Sequence, residues 1–123
     1  MSHIHTAIPI LRSFDAAIMR AFYGDYLGFD ETFAHRFAPD MPLYVEMKRG
    51  DCRLHLSEHH GDASPGGAVR MPMDDVRGYC AALQAKKPGN VRPCVDAQPF
   101  GWDDMTIVDP FGNTLIFCTE QTG

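Results

Sequence analysis

Near the C-terminus two runs of alternating side chains, Trp102 to Val108 and Thr114 to Phe117, flank the pentapeptide Asp109-Pro110-Phe111-Gly112-Asn113. Proline presets φ at the second turn position, glycine supplies a residue with positive φ, and an aspartate side chain can accept from the backbone ahead of it. The stretch predicts a tight antiparallel hairpin, so the chain must build a sheet whose remaining strands lie upstream. Those strands are legible twice. From Thr6 to Leu11 an apolar run ends at Ser13-Phe14-Asp15; Ile18, Ala21, Phe22 and Tyr26 then recur at helical spacing, and Gly28 stops the helix. Three extended segments follow, Phe29 to Phe37, Leu43 to Lys48 and Cys52 to Ser57, the last two joined by a Gly50-Asp51 turn.

After the linker Gly61-Asp-Ala-Ser-Pro-Gly-Gly67 the same order returns. A strand fits Ala68 to Met73, and a helix starting near Asp74 places Val76, Tyr79, Cys80 and Leu83 on one face before Pro88-Gly89 stops it. Strands then fit Val91 to Val95, Trp102 to Val108 and Thr114 to Thr119. The expected fold class is α+β, with two βαβββ modules at about residues 1–60 and 66–120. Both belong to a single domain over 1–123, because a chain of 123 residues rarely divides into independent cores.

Composition narrows the function. No apolar run approaches the ~20 residues needed to cross a bilayer, so no membrane partner is expected. The formal net charge is −5 and there is no Lys- or Arg-rich run, which disfavours nucleic acid because phosphates would go unneutralised. No charged start followed by an apolar stretch and a small-residue cleavage site appears at Met1, so the expected location is the cytoplasm. Cys52, Cys80, Cys94 and Cys118 are then reduced thiols; they lack Cys-x-x-Cys spacing and read as small buried hydrophobes rather than zinc ligands. No Gly-rich phosphate loop, Gly-x-Ser-x-Gly elbow or His-Glu-x-x-His helix is present.

Period-two alternation assigns strand faces. Leu54 and Leu56, with Leu43, Val45 and Met47, form one apolar face, which Ile8 and Ile10, Val69 and Met71, and Leu115 and Phe117 are expected to extend beneath the helices. The opposite face carries Tyr44, Glu46, Arg53, His55, Trp102, Asp104 and Thr106, a mixture of aromatic surfaces and hydrogen-bonding groups that suits a ligand cleft.

Ala7-Ile-Pro-Ile-Leu11 leading into Asp15-Ala-Ala, then Phe22-Tyr23 with Leu27-Gly28-Phe29 and the Asp-Pro-Phe-Gly hairpin, resembles the vicinal oxygen chelate superfamily of glyoxalases, bleomycin-resistance proteins and ring-cleaving dioxygenases. The Ile-Pro-Ile-Leu opening and Pro99-Phe-Gly-Trp102 are most similar to its bleomycin-resistance branch. That resemblance implies that the modules form a curled eight-stranded mixed sheet with the helices on its convex side. It also implies a homodimer, in some relatives with exchanged modules, that sequesters a small planar or cationic ligand in clefts shared between subunits.

Most enzymes of that superfamily bind a divalent metal through His, Glu or Gln on the first and last strands of each module. The corresponding places fall on Ala7, His55, Ala68 and Ile116; a slip along the same strand face brings His5 or Pro9 and Arg70 instead. A lone imidazole does not hold a catalytic metal, which needs about three protein ligands. The expectation is therefore no metal, no cofactor and no catalytic residue. The ligand-binding set is Tyr44, Glu46, Arg53, His55, Trp102 and Asp104, and the ligand is an aromatic or cationic small molecule of bleomycin-like type. The alternative is a metal-dependent glyoxalase-like lyase or dioxygenase recruiting His55, Glu46 and a loop histidine. His59, with Glu58 and Asp62, could attract a divalent ion, but solvated loop residues are the stronger reading.

Overall fold

The computed structural model describes residues 2–86 and 91–122. In module 1 the order is strand β1 (Ile10–Arg12), helix α1 (Ala16–Met19) continuing without a break as a π-helical stretch (Arg20–Tyr26), then strands β2 (Asp30–His35), β3 (Tyr44–Arg49) and β4 (Cys52–Ser57). Module 2 repeats it with β5 (Ala68–Pro72), α2 (Val76–Ala85), β6 (Asp96–Ala97), β7 (Trp102–Val108) and β8 (Thr114–Glu120). The eight strands form two four-stranded mixed sheets, ordered β1-β4-β3-β2 and β5-β8-β7-β6, so the modules share one topology. In each, the parallel pair is the first strand with the last, β1 with β4 and β5 with β8.

Both helices start on an aspartate. Asp15 accepts from the Ile18 backbone N–H and Asp75 from that of Gly78, each satisfying an otherwise orphaned donor of the first turn. The α2 face read from sequence is the buried one: Val76, Tyr79, Cys80 and Leu83. In the first helix the buried face is Met19, Phe22, Tyr23 and Tyr26, while Ile18 and Ala21 point outward. Apolar residues stand on both sides of this helix, and its wider π turn, with the Leu27 N–H bonded to the Phe22 carbonyl, brings Phe22, Tyr23 and Tyr26 to the core together. Gly28 ends it at φ 84°, where a Cβ would lie 2.9 Å from the Arg49 guanidinium.

One continuous core joins the modules: Val45, Met47, Leu54 and Leu56 from the first sheet meet Met71, Met105, Ile107, Leu115 and Phe117 from the second. Ile8 and Ile10 do not belong to it. The parallel register sets Ile10 beside His55 and Leu11 beside Leu56, so Leu11 is the core residue and Ile10 lies on the opposite face, 42% exposed. With apolar side chains at Ile8, Ile10 and Leu11 alike, alternation could not choose the phase. The stretch from Val91 to Val95, read as a strand, is irregular, and the short strand follows it at Asp96–Ala97. The stop at Pro88-Gly89 lies outside the described residues. All four cysteines are free; Cys80 and Cys118 are buried, but Cys52 is only partly so and Cys94 is exposed.

Polar ties lock the modules together. The Tyr79 hydroxyl donates to the Leu27 carbonyl at 2.5 Å, and the Lys86 ammonium donates to the carbonyls of Asp25 and Tyr26, a cation closing the end of the partner module's helix. The closing hairpin supplies the third tie: Gly112 takes φ 88°, and Asp109 Oδ1 accepts from the backbone N–H groups of Phe111 and Asn113. Asp109 Oδ2 accepts from the Tyr23 hydroxyl at 2.5 Å and from Asn113 Nδ2, which also donates to the Arg12 carbonyl. Burial first, then the Asp109 carboxylate, push the Tyr23 phenol far above its ordinary pKa, so its proton stays in place. Among the described residues no helix is long and apolar enough to cross a membrane.

Candidate functional site

On the sheet face turned away from the helices, cross-strand register brings together what the sequence holds apart. Glu46 pairs with His55, Tyr44 with Ser57 and Lys48 with Arg53 between β3 and β4, while Phe33 of β2 pairs with Glu46. A bulge between Glu31 and Phe33 re-aims Thr32, whose hydroxyl donates to Glu46 Oε2 at 2.5 Å. The other carboxylate oxygen lies 3.0 Å from His55 Nε2, and His55 Nδ1 lies 2.6 Å from the Tyr44 hydroxyl. Thr32, Glu46, His55 and Tyr44 thus form one unbroken chain of hydrogen bonds. Phe33 stands edge-on to the His55 ring at 5.6 Å, and the ring of His59 lies 6.4 Å from that of Tyr44.

The hydrogen bond from Thr32, then that with His55, hold the Glu46 carboxyl below its ordinary value of 4.5. A carboxyl depressed in the fold contributes stability above its unfolded pKa and loses that contribution as pH falls through the folded one. Glu46→Gln is therefore expected to flatten the stability profile below about pH 4.5 and to lower stability above it, read from urea unfolding midpoints across pH.

The second sheet presents a different arrangement. Arg70 of β5 donates both terminal nitrogens to Asp104 of β7, each bond 2.9 Å, and its guanidinium carbon stands 5.6 Å from the Phe100 ring centroid and 5.7 Å from that of Trp102. The bidentate bond fixes the plane of the guanidinium, so Arg70, Phe100 and Trp102 form a rigid cationic and aromatic shelf. Ile116 of β8 pairs with Arg70 on one side and Thr106 on the other. The segment before β1 and the start of β4 face β5 across a cleft of about 230 Å³ whose lining includes Ala7, Pro9, Arg53, Arg70 and Pro72. Arg53, on the same face of β4 as His55, and Arg70, bound to Asp104, thus line one cleft together. A larger cavity, about 910 Å³, is lined by Asp30, Arg49, Asp75 and Tyr79 among others; it shares Asp51, Cys52 and Pro72 with the cleft but contains none of Tyr44, Glu46, Arg53, His55, Trp102 and Asp104.

The two carboxylates expected to meet a ligand are engaged internally: Asp104, 7% exposed, by Arg70, and Glu46 by Thr32 and His55. Arg53 and Arg70 line the cleft itself; Tyr44 and Phe33 share the sheet face of His55, and the rings of Phe100 and Trp102 stand beside Arg70. Thr32, Phe33, Arg70 and Phe100 were not among the residues that alternation singled out for the site. The polar phase of Ala68-Val-Arg-Met-Pro72 carried a signal for Arg70 alone; the Thr32 bulge leaves no trace in composition.

The register also tests the metal places. His55 has Ile10 as its parallel partner and Ile116 has Arg70, so Ala7 precedes β1 and Ala68 pairs with Thr114. The four places thus hold one imidazole, whose nitrogens both already have partners, two alanines and an isoleucine paired with a fixed cation, and these residues do not fit a divalent metal. The loop carboxylates are also committed, Asp62 to the Ser57 hydroxyl and Glu58 to the Leu43 backbone N–H. Among the described residues no three His, Cys, Asp or Glu side chains converge.

A family model described as glyoxalase superfamily protein matches residues 2–123. The chain belongs to the glyoxalase superfamily. Within it, the fold is similar to that of a bleomycin resistance determinant encoded on transposon Tn5, with a TM-score of 0.76 and 23% identity over 97% of this chain and 100% of that one. It is similar to the bleomycin-binding protein of bleomycin-producing Streptomyces verticillus, solved with copper(II)-bleomycin, at TM-score 0.71 and 26% identity over 100% and 99% of the two chains. An antibiotic-binding protein from Streptomyces sp. CB03234 matches at TM-score 0.70 and 25% identity over 98% and 99%. No curated protein matches the chain. This superfamily member therefore carries the two-module fold of bleomycin- and antibiotic-binding proteins, with the His55 and Ile116 positions occupied as described.

Proposed function

We propose that this glyoxalase-superfamily chain is a metal-independent small-molecule binding protein of the bleomycin-resistance type. It sequesters an aromatic or cationic ligand, with bleomycin as the first candidate, in a cleft completed by a second copy, and it acts in the cytoplasm. The observation that carries the reading is the Arg70–Phe100–Trp102 shelf, whose arginine pairs with Ile116 at a place where a catalytic relative would need a metal ligand. Stacking and cation–π contact supply affinity without chemistry, and a resistance function by sequestration needs only affinity. The ligand set is Tyr44, Arg53, His55 and Trp102 in contact, with Glu46 and Asp104 holding their partners in place. Exposed Ile10, Phe33 and Phe100 on these faces support a homodimer, since apolar side chains grouped beside a cleft mark an interaction surface.

Two measurements on purified protein test this. Metal analysis is expected to find no stoichiometric divalent ion. Bleomycin is expected to quench the fluorescence of Trp102, the single tryptophan, and at ~100 times its dissociation constant to raise stability by ~2.7 kcal/mol. A tightly held divalent ion whose removal abolishes a lyase or dioxygenase activity would overturn the reading.

A further inference from the structure

Resting on that reading, the hydrogen-bond chain of the first sheet decides which ligands its outer face accepts. Its polarity is fixed from one end. Glu46 remains a carboxylate, which only accepts, and it takes one bond from the Thr32 hydroxyl. His55 Nε2, 3.0 Å from the other oxygen, must then carry a hydrogen. In a neutral imidazole this leaves Nδ1 as an acceptor, so the Tyr44 hydroxyl, 2.6 Å away, donates inward. The lone pairs of Tyr44 are all that this chain of bonds offers a ligand on the outer sheet face. Burial first, with the charges of Asp62 and Glu46, keeps the Tyr44 phenol above its ordinary pKa, so it holds its proton throughout. A protonated His55 must donate from both nitrogens, and the Tyr44 hydroxyl then turns its own hydrogen outward.

We propose that Thr32, Glu46 and His55 fix Tyr44 as a hydrogen-bond acceptor toward the outer sheet face, so that this face selects ligands presenting N–H donors, amidinium or ammonium groups, over carboxylates. Protonation of His55 inverts that preference. The groups facing His55 are Tyr44, Glu46 and Lys48 from β3, Thr32, Phe33 and His35 from β2, Ile10 and Arg12 from β1, Arg53 and Ser57 on its own strand, and His59 and Asp62 from the following loop. Of these, Glu46 alone is an anion bonded to the ring, and Glu46 feels the opposing charge of Arg53.

Benzamidine and benzoate test this, being planar, of one size, and opposite in hydrogen-bonding sense. Near pH 8 benzamidine is expected to bind roughly tenfold more tightly than benzoate, measured by chemical-shift titration of the whole chain. At a lower pH, where the ¹⁵N spectrum of His55 shows both ring nitrogens carrying hydrogen, benzoate should bind more tightly. Tyr44→Phe keeps the ring and the charge on His55 but removes the hydroxyl, so the pH-dependent swing between the probes should shrink by several-fold. The ring ¹⁵N spectrum of His55 reads the polarity with no ligand at all and should show the Nε2–H form near pH 8. An Nδ1–H form, equal or absent binding of the two probes, or a full swing in Tyr44→Phe would each overturn the inference. Should Tyr44→Phe fail to fold, the ring spectrum and the probe pair in the wild-type protein decide. Bleomycin binding without probe discrimination would sink this inference and leave the binding function standing; discrimination without bleomycin binding would remove bleomycin as the ligand and leave the polarity intact.

Discussion

Asp109→Ala is expected to destabilise the protein by about 4 kcal/mol, a large share of the 5–15 kcal/mol that holds a typical domain together. The carboxylate is 4% exposed and accepts from two backbone N–H groups, the Asn113 amide and the Tyr23 hydroxyl. Alanine removes the acceptor and leaves those donors buried, and a stranded donor costs about 1–3 kcal/mol on its own. The loss is also not confined to the turn. Tyr23 belongs to the first module's helix and Asn113 bonds the Arg12 carbonyl, so the same change loosens the hairpin and its seat on the other module. Tyr23→Phe, which removes one donor and leaves the turn intact, should cost about 1–2 kcal/mol. The two substitutions share a bond, so their effects should fall short of additive in a double-mutant cycle read by urea unfolding. A loss under about 1 kcal/mol for Asp109→Ala would mean that the hairpin does not staple the modules.

That hairpin was also where the sequence was most legible. Its turn chemistry is local, and local rules named Asp109, Gly112 and both flanking strands correctly. The α2 face was legible for a similar reason: the residues between Val76, Tyr79, Cys80 and Leu83 are small or polar, so only one face carries large apolar side chains. Where both sides of an element are apolar the pattern carries no phase. The first helix is rotated by about one residue from the reading of Ile18 and Ala21, and β1 presents Ile10 to the outer sheet face and Leu11 to the core. The equivalence of His55 and Ile116 came from the family resemblance, and the parallel registers, His55 beside Ile10 and Ile116 beside Arg70, set the two at like positions. Contacts between strands were a different matter. Which residue holds Asp104, and that Thr32 reaches Glu46, depends on cross-strand register and a bulge, quantities that a single strand's alternation does not contain.

Those cross-strand contacts set the size of the second large effect. Trp102→Ala should weaken bleomycin binding by roughly 30- to 100-fold, about 2–3 kcal/mol, the range expected of a central aromatic anchor. Trp102 is only partly buried, so its loss leaves the core of Met105, Ile107, Leu115 and Phe117 untouched and folding near normal. Because Trp102 is the single tryptophan, the variant has no fluorescence of its own to follow, and calorimetry must give the affinity. The loss should exceed that of the stacking ring alone. Arg70 lies over both Trp102 and Phe100, and with one ring gone the guanidinium, still tied to Asp104, loses one of the two aromatic faces it stands against. Trp102→Phe should therefore recover part of the affinity, since a smaller ring restores a face for both ligand and Arg70. Unchanged affinity in Trp102→Ala would take Trp102 out of the site and move the ligand to the sheet face of Tyr44 and His55.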